Sequence, residues 1–234
     1  MVQGTGKYTV ITGASSGIGY ETAKAFAERG KNLVIAARRK NNLERLKREI
    51  LGIYPDLDIV IRSADLSVPE NVYQFYEGLR DYEIETWINN AGFGNYDSVA
   101  DQDLNKIRMM LNLNIEALTI LSSLYVRDYK DVEGTQLINV SSCGGYTIVP
   151  TAVTYCAAKF YVSTFTEGLA RELEEAGAKM KATARKRDAQ NEESIAEYRR
   201  NHRGLSGEAL AEARAAFGEG ATVVNILTGE RTKL

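Results

Sequence analysis

Five short apolar runs separated by helical patterns constrain this chain more than any other feature. The runs are KYTVIT (7–12), NLVIAA (32–37), DIVIRSAD (58–65), ETWINNAG (85–92) and TQLINVSS (135–142). They are near-continuous rather than alternating, as expected of parallel strands covered on both faces. Helical patterns fill the gaps at 18–29, 41–52, 71–79, within 104–129 and at 153–175. Gly30 stops the first, and Leu43, Leu46 and Ile50 share one face of the second. The alternation predicts an α/β fold, a Rossmann-like doubly wound parallel sheet with helices on both faces. Ligands of such sheets gather at the carboxyl ends of the strands, so the residues just after each strand are the candidates for chemistry.

With 234 residues the chain suits one large domain, or one with a small appendage. The reading takes 1–178 as the core, and 179–234 as a divergent C-terminal segment of the same domain. The formal net charge of −2 makes no general demand for nucleic acid or an anionic membrane. Cys143 and Cys156 form no disulfide framework and no metal-ligand spacing, and the single histidine, His202, argues against a metal site or a histidine triad. The start, MVQGTGKYTVITG, lacks a signal-peptide pattern, and no run reads as long enough to span a membrane. The expected setting is a reducing cytoplasm.

The first strand runs into TGASSGIG (12–19) and then a helix. Gly13 permits a tight turn, Gly17 lets the backbone approach a phosphate, and Gly19 lets the helix pack closely on the sheet. With Ser15, Ser16 and Ile18 these residues open a helix whose free N–H groups favour an anion, so the turn predicts dinucleotide binding over a plain structural turn. The second strand ends AARRK, with Arg38 and Arg39 where a cofactor lacking the extra phosphate needs an acidic residue. A guanidinium suits a 2′-phosphate, which favours NADP(H); a solvated basic loop is the alternative. Tyr155 and Lys159, in YCAAK, sit four residues apart on one helix face. A fixed positive charge would lower the phenol's pKa and suit it to proton transfer, whereas the bland reading is a half-buried tyrosine beside a solvated lysine.

Four motifs in order, TGASSGIG at 12–19, NNAG at 89–92, SS at 141–142 and YCAAK at 155–159, make the chain similar to the classical short-chain dehydrogenases/reductases. The resemblance covers about residues 7–178. It implies Tyr155 as general acid/base and Lys159 as the group that lowers its pKa and holds the nicotinamide ribose. It implies Ser142 as the carbonyl-polarising hydroxyl and Asn114 as the holder of a relay water, with Asn112 a competitor. Asp65 would contact the adenine, and Asn90 would line the nucleotide. It also implies a small carbonyl or alcohol substrate, and a homodimer or homotetramer formed through helices 104–129 and 153–175. FGNY (93–96) either borders the substrate or serves loop packing, and Trp87 reads as core.

Beyond Ala178 the pattern changes. MKATA could start a sixth strand, but the charged RKRDAQNEE cannot continue it in a buried sheet. A helix at 206–217 and a last strand at 221–227 are expected. The tail suggests a helix-turn-helix only loosely, so nucleic-acid binding is not expected. Two functions follow: an NADP(H)-dependent oxidoreductase interconverting a carbonyl and a secondary alcohol, or a nucleotide-binding protein without turnover that acts as a sensor or interaction partner.

Overall fold

The computed structural model describes residues 6–185, 222–224 and 231–233. Six strands form one sheet: β1 (Tyr8–Thr12), β2 (Asn32–Ala37), β3 (Ile59–Ser63), β4 (Ile84–Asn89), β5 (Gln136–Val140) and β6 (Lys181–Arg185). Their order is β3-β2-β1-β4-β5-β6, and every pairing is parallel. The order reverses between β1 and β4, so a crevice opens there at the carboxyl ends of the strands.

The strand sequences explain the two covered faces. Successive side chains point to opposite sides of a sheet. Val10, Val34 and Ala36 join Trp87, Leu121 and Tyr125 in one cluster, while Ile11, Leu33 and Ile35 join Leu43, Leu46 and Ile50 in the other. The second cluster is covered by α1 (Gly17–Glu28) and α2 (Lys40–Ile53), which contribute Ala23, Ala27 and the three apolar residues of α2's buried face. The first is covered by α3 (Pro69–Glu77), α5 (Leu118–Tyr129) and α6 (Val153–Glu175). Trp87 is fully buried among Phe75, Tyr76 and Tyr125, with ring centroids 5.4–5.9 Å away; this is the core role expected for it.

The expected helix at 104–129 is continuous but not uniform. It runs as α4 (Leu104–Leu111), a wider π-helical turn (Asn112–Ala117) and α5. It has 26 residues, and its most apolar 18-residue window has mean hydropathy 1.3, long and apolar enough to cross a membrane by length and composition alone. That corrects the expectation that the chain contains no such run. Met110, Leu118, Leu121 and Tyr125 are buried within the protein, as in a core helix.

Lys181–Arg185 pairs with β5 along its whole length, so the strand that MKATA could only suggest is present as far as Arg185. It lies beyond the expected boundary at 178; the chain divides into compact units after Lys186. In the second unit β7 (Thr222–Val224) pairs antiparallel with β8 (Arg231–Lys233) in a two-stranded sheet. The strand expected at 221–227 is therefore, where described, half of a hairpin rather than a parallel strand. His202 and the expected helix at 206–217 lie outside the described residues.

Candidate active site

At the sheet's switch point, Gly13 turns the chain with φ +71°, and a Cβ there would lie 2.8 Å from Ala91 Cα, so only glycine fits. The Thr12 hydroxyl accepts the backbone N–H groups of Asn90 and Ala91, each at 3.0 Å. Asn90 Nδ2 donates to the Thr12 carbonyl at 2.9 Å and the Gly13 carbonyl at 3.3 Å. This clamp locks the end of β1 to the end of β4. Asn90, expected to line the nucleotide, uses its side-chain amide to hold the glycine turn. Gly19 leaves room for that amide, since a Cβ would run into Asn90 Nδ2 and the Gly13 carbonyl.

The serines of the turn have an unexpected partner. Ser16 precedes α1 but does not cap it. The Ser15 and Ser16 hydroxyls both accept from Arg39 Nη2, at 3.1 and 2.9 Å. The N–H groups that open α1 stay available to an anion, and the guanidinium is already positioned beside them. Arg38 behaves differently: its Nη1 is 3.9 Å from the Asp65 carboxylate, a solvated pair of small energetic weight. Asp65 also accepts from the Ser67 N–H and hydroxyl at 3.0 and 2.7 Å. Gly13, Ser15, Ser16, Arg38, Arg39 and Asp65 line one cleft; Ile18, half exposed on α1, is not part of that lining. An uncapped helix start, two serine hydroxyls and two guanidiniums fit a phosphate-bearing nucleotide.

The remaining candidates converge at the ends of β4 and β5. A Cβ on Gly92 would lie 2.9 Å from Asn114 Oδ1 and 3.7 Å from Lys159 Nζ, so those two groups flank one point. A Cβ on Gly144 would lie 3.5 Å from Tyr155 Cε1 and 3.7 Å from Ser142 Oγ, so these flank another. Tyr155 and Lys159 stand one turn apart on α6. Asn114 is fully buried in the π-helical turn; its side chain donates to the Phe93 carbonyl at 2.9 Å and accepts the Phe93 N–H at 3.2 Å. Asn112, its competitor, points elsewhere and donates to the Ser67 carbonyl at 3.2 Å.

The electrostatics depart from the simple expectation. Burial pushes the Tyr155 phenol above its ordinary value, and the neighbouring Ser142 hydroxyl only partly offsets this. The Lys159 amine, 5% exposed, donates to the Val140 carbonyl at 2.9 Å, and burial pushes its pKa down to about 8. In the chain alone the net shift of the phenol is therefore upward, with burial its largest cause.

Comparison with known proteins agrees with this geometry. The short chain dehydrogenase family model matches residues 7–185, from β1 to the end of β6. The chain is a classical short-chain dehydrogenase/reductase. Human dehydrogenase/reductase SDR family member 11 is 33% identical over 184 residues, 76% of this chain and 70% of that protein. The short-chain dehydrogenase from Sphingobium yanoikuyae, solved with NADPH, is 30% identical at a TM-score of 0.71, covering 76% of this chain and 69% of its own. The 3-ketoacyl-(acyl-carrier-protein) reductase from Brucella melitensis, solved with NADH, is 27% identical at a TM-score of 0.67, covering 79% and 75%.

Sequence reasoning missed the buried polar scaffold of this dehydrogenase/reductase. Asn89 Nδ2 donates to Ser122 and Asn139 at 3.0 Å each, and Asn139 Nδ2 donates to Thr166 at 3.0 Å. Ser141 donates to the Lys159 carbonyl at 3.1 Å and lies 2.7 Å from the Ser163 hydroxyl. These bonds fix α5 and α6 against the strand ends. Of the SS pair, then, Ser141 anchors the helix while Ser142 lies beside Tyr155. The available signal was an asparagine in each of two otherwise apolar strands. A second cavity, of about 530 Å³, is lined by Tyr76, Trp87, Arg127 and Tyr129 and contains none of the candidate residues.

Proposed function

We propose that this dehydrogenase/reductase is NADP(H)-dependent and interconverts a carbonyl and a secondary alcohol. The observation that carries the reading is the meeting of Tyr155 and Ser142 at the end of β5, on the sheet edge where Arg39, Ser15 and Ser16 form an anion site. Arg39, with Arg38 beside it, would hold the 2′-phosphate, the start of α1 the pyrophosphate, Asp65 the adenine and Lys159 the nicotinamide ribose. When bound, the cofactor supplies the hydride that goes to the carbonyl carbon. Ser142 donates a hydrogen bond to the carbonyl oxygen, where charge builds up, and Tyr155 passes its proton to that oxygen. In the reverse direction Tyr155 takes the alcohol proton. Asn114's side chain is spent on Phe93, so a relay water is held by backbone groups freed in the wide turn.

The anchored Arg39, with no free carboxylate beside it among the described residues, favours NADP(H) over NAD(H). Two free thiols suit a reducing cytoplasm. Exposed aromatic stacking of Tyr161 on Phe165, and a groove between α5 and α6 lined by Val126, Phe165 and Leu169, favour a homodimer through these helices. One observation favours the second reading, nucleotide binding without turnover: the Lys159 amine is engaged by Val140 and leaves the phenol raised. NADPH oxidation with a panel of ketones, in wild type and Tyr155→Phe, decides between them. Turnover lost in the variant supports the oxidoreductase; NADPH binding with no turnover in either chain supports the alternative.

A further inference from the structure

Three adjacent residues after β4 are held in an arrangement that serves no packing purpose of their own. Asn95 is 1% exposed, yet neither its Nδ2 nor its Oδ1 has a hydrogen-bond partner among the described residues. Burying an amide in this way is unfavourable, so a native loop that does so calls for an explanation outside its own stability. Tyr96 shows the opposite anomaly: a large ring that is 67% exposed. It is not a loose side chain. The ring folds back over Gly94, where a Cβ would lie 3.0 Å from both Tyr96 Cε2 and the Tyr96 hydroxyl oxygen, so a larger residue there would shift the ring. The ring also meets Tyr155, with centroids 6.1 Å apart and planes tilted by 46°.

Among the described residues the one cation near the phenol is Lys159, one turn along α6, and its amine donates to the Val140 carbonyl. Apart from burial, the groups that bear on Tyr155 are Ser142, Tyr96, Cys143 and Cys156. Val149 and Val153, both partly exposed, lie in the segment that leads into Tyr155. A flat apolar group placed here would gain an aromatic face.

We propose that Tyr96 is a specificity-determining residue whose ring forms one wall of the carbonyl site and selects ketones bearing an aryl or similarly flat apolar group. The proposal rests on the reading of Tyr155 as the proton-transfer residue. It also resolves the two alternatives that FGNY left open: Gly94 and Asn95 serve the loop, and Tyr96 serves the substrate.

Acetophenone and butan-2-one test this, by NADPH oxidation and by calorimetric binding of acetophenone to the chain alone. Tyr96→Ala should lower kcat/KM for acetophenone about 10-fold, mainly through KM, while butan-2-one changes by less than about 3-fold. Tyr96→Phe should keep the wild-type ratio. Gly94→Ala, which shifts the ring without removing it, should lower kcat/KM for acetophenone in the same direction but less than Tyr96→Ala. Acetophenone binding that weakens in Tyr96→Ala, together with no turnover in wild type, would uphold the wall and overturn the oxidoreductase reading. Equal loss for both ketones, no loss for either, or no saturable acetophenone binding to wild type would overturn the wall.

Discussion

The proposed nucleotide end of the cleft and its proposed proton-transfer end differ in how far each is assembled before anything binds. At the first, Arg39 is already fixed by two serine hydroxyls, and Asn90 and Thr12 clamp the glycine turn. At the second, the residues are in place but their charges are unfavourable: Lys159 is a buried cation bound only to a carbonyl, and the Tyr155 phenol is raised by burial. An anion site can be prepared in advance because its ligand brings the opposite charge. A proton-transfer site tuned by burial stores an electrostatic cost that only a loaded cleft can relieve.

The largest expected effect breaks the comparison at the proton-transfer end. Tyr155→Phe should lower carbonyl reduction by about 10²–10⁴-fold and leave NADPH affinity nearly unchanged, as read by steady-state kinetics and fluorescence titration. Because the phenol donates while protonated, reduction in wild type should be flat at neutral pH and fall as alkali ionises it, whereas alcohol oxidation should rise over the same range. A fall in NADPH binding equal to the fall in rate would mean that Tyr155 holds the cofactor rather than moves a proton.

Lys159→Met comes next and separates function from stability. The folded pKa of about 8 lies below the ordinary 10.5. Between these values the unfolded chain binds more protons, so stability rises with pH; below about 8 the penalty is complete, at roughly 3 kcal/mol. The variant should be inactive yet more stable than wild type at neutral pH, with the gap closing as pH climbs through the window from 8 to 10.5, as read by urea unfolding. A variant less stable than wild type at neutral pH would show that the bond to Val140 outweighs the burial of the charge.

At the nucleotide end the effects are smaller. Arg39→Ala should weaken NADPH binding by about 10–100-fold and barely change NADH binding, because only the 2′-phosphate loses its charged partner. Arg38→Ala should cost less than Arg39→Ala, since Arg38 faces Asp65 rather than the serines. Equal losses for NADPH and NADH in Arg39→Ala would place the guanidinium on the pyrophosphate instead.

The parts of this molecule that follow from periodicity were legible in the sequence. Near-continuous apolar strands gave the parallel sheet, and the glycine turn and the Tyr155–Lys159 spacing pointed to its carboxyl edge. What depends on the direction of a polar side chain was not legible. Asn90 could as well have faced a nucleotide as Thr12, and Arg38 and Arg39 are neighbours that diverge only in three dimensions. The π-helical turn at Asn114 leaves no mark in a heptad or a 3.6-residue pattern. The sixth strand was obscured because the charged residues after Arg185 suggested that no buried strand could pass there, whereas a strand of five residues suffices.

The central claim is that the phenol of Tyr155 is held high by burial and comes down when the cleft is loaded. Ultraviolet difference titration of tyrosinate, wild type minus Tyr155→Phe, tests it with and without NADP⁺. The account predicts a pKa above that of free tyrosine in the chain alone and a lower one with NADP⁺ bound. An identical titration in both conditions would contradict it.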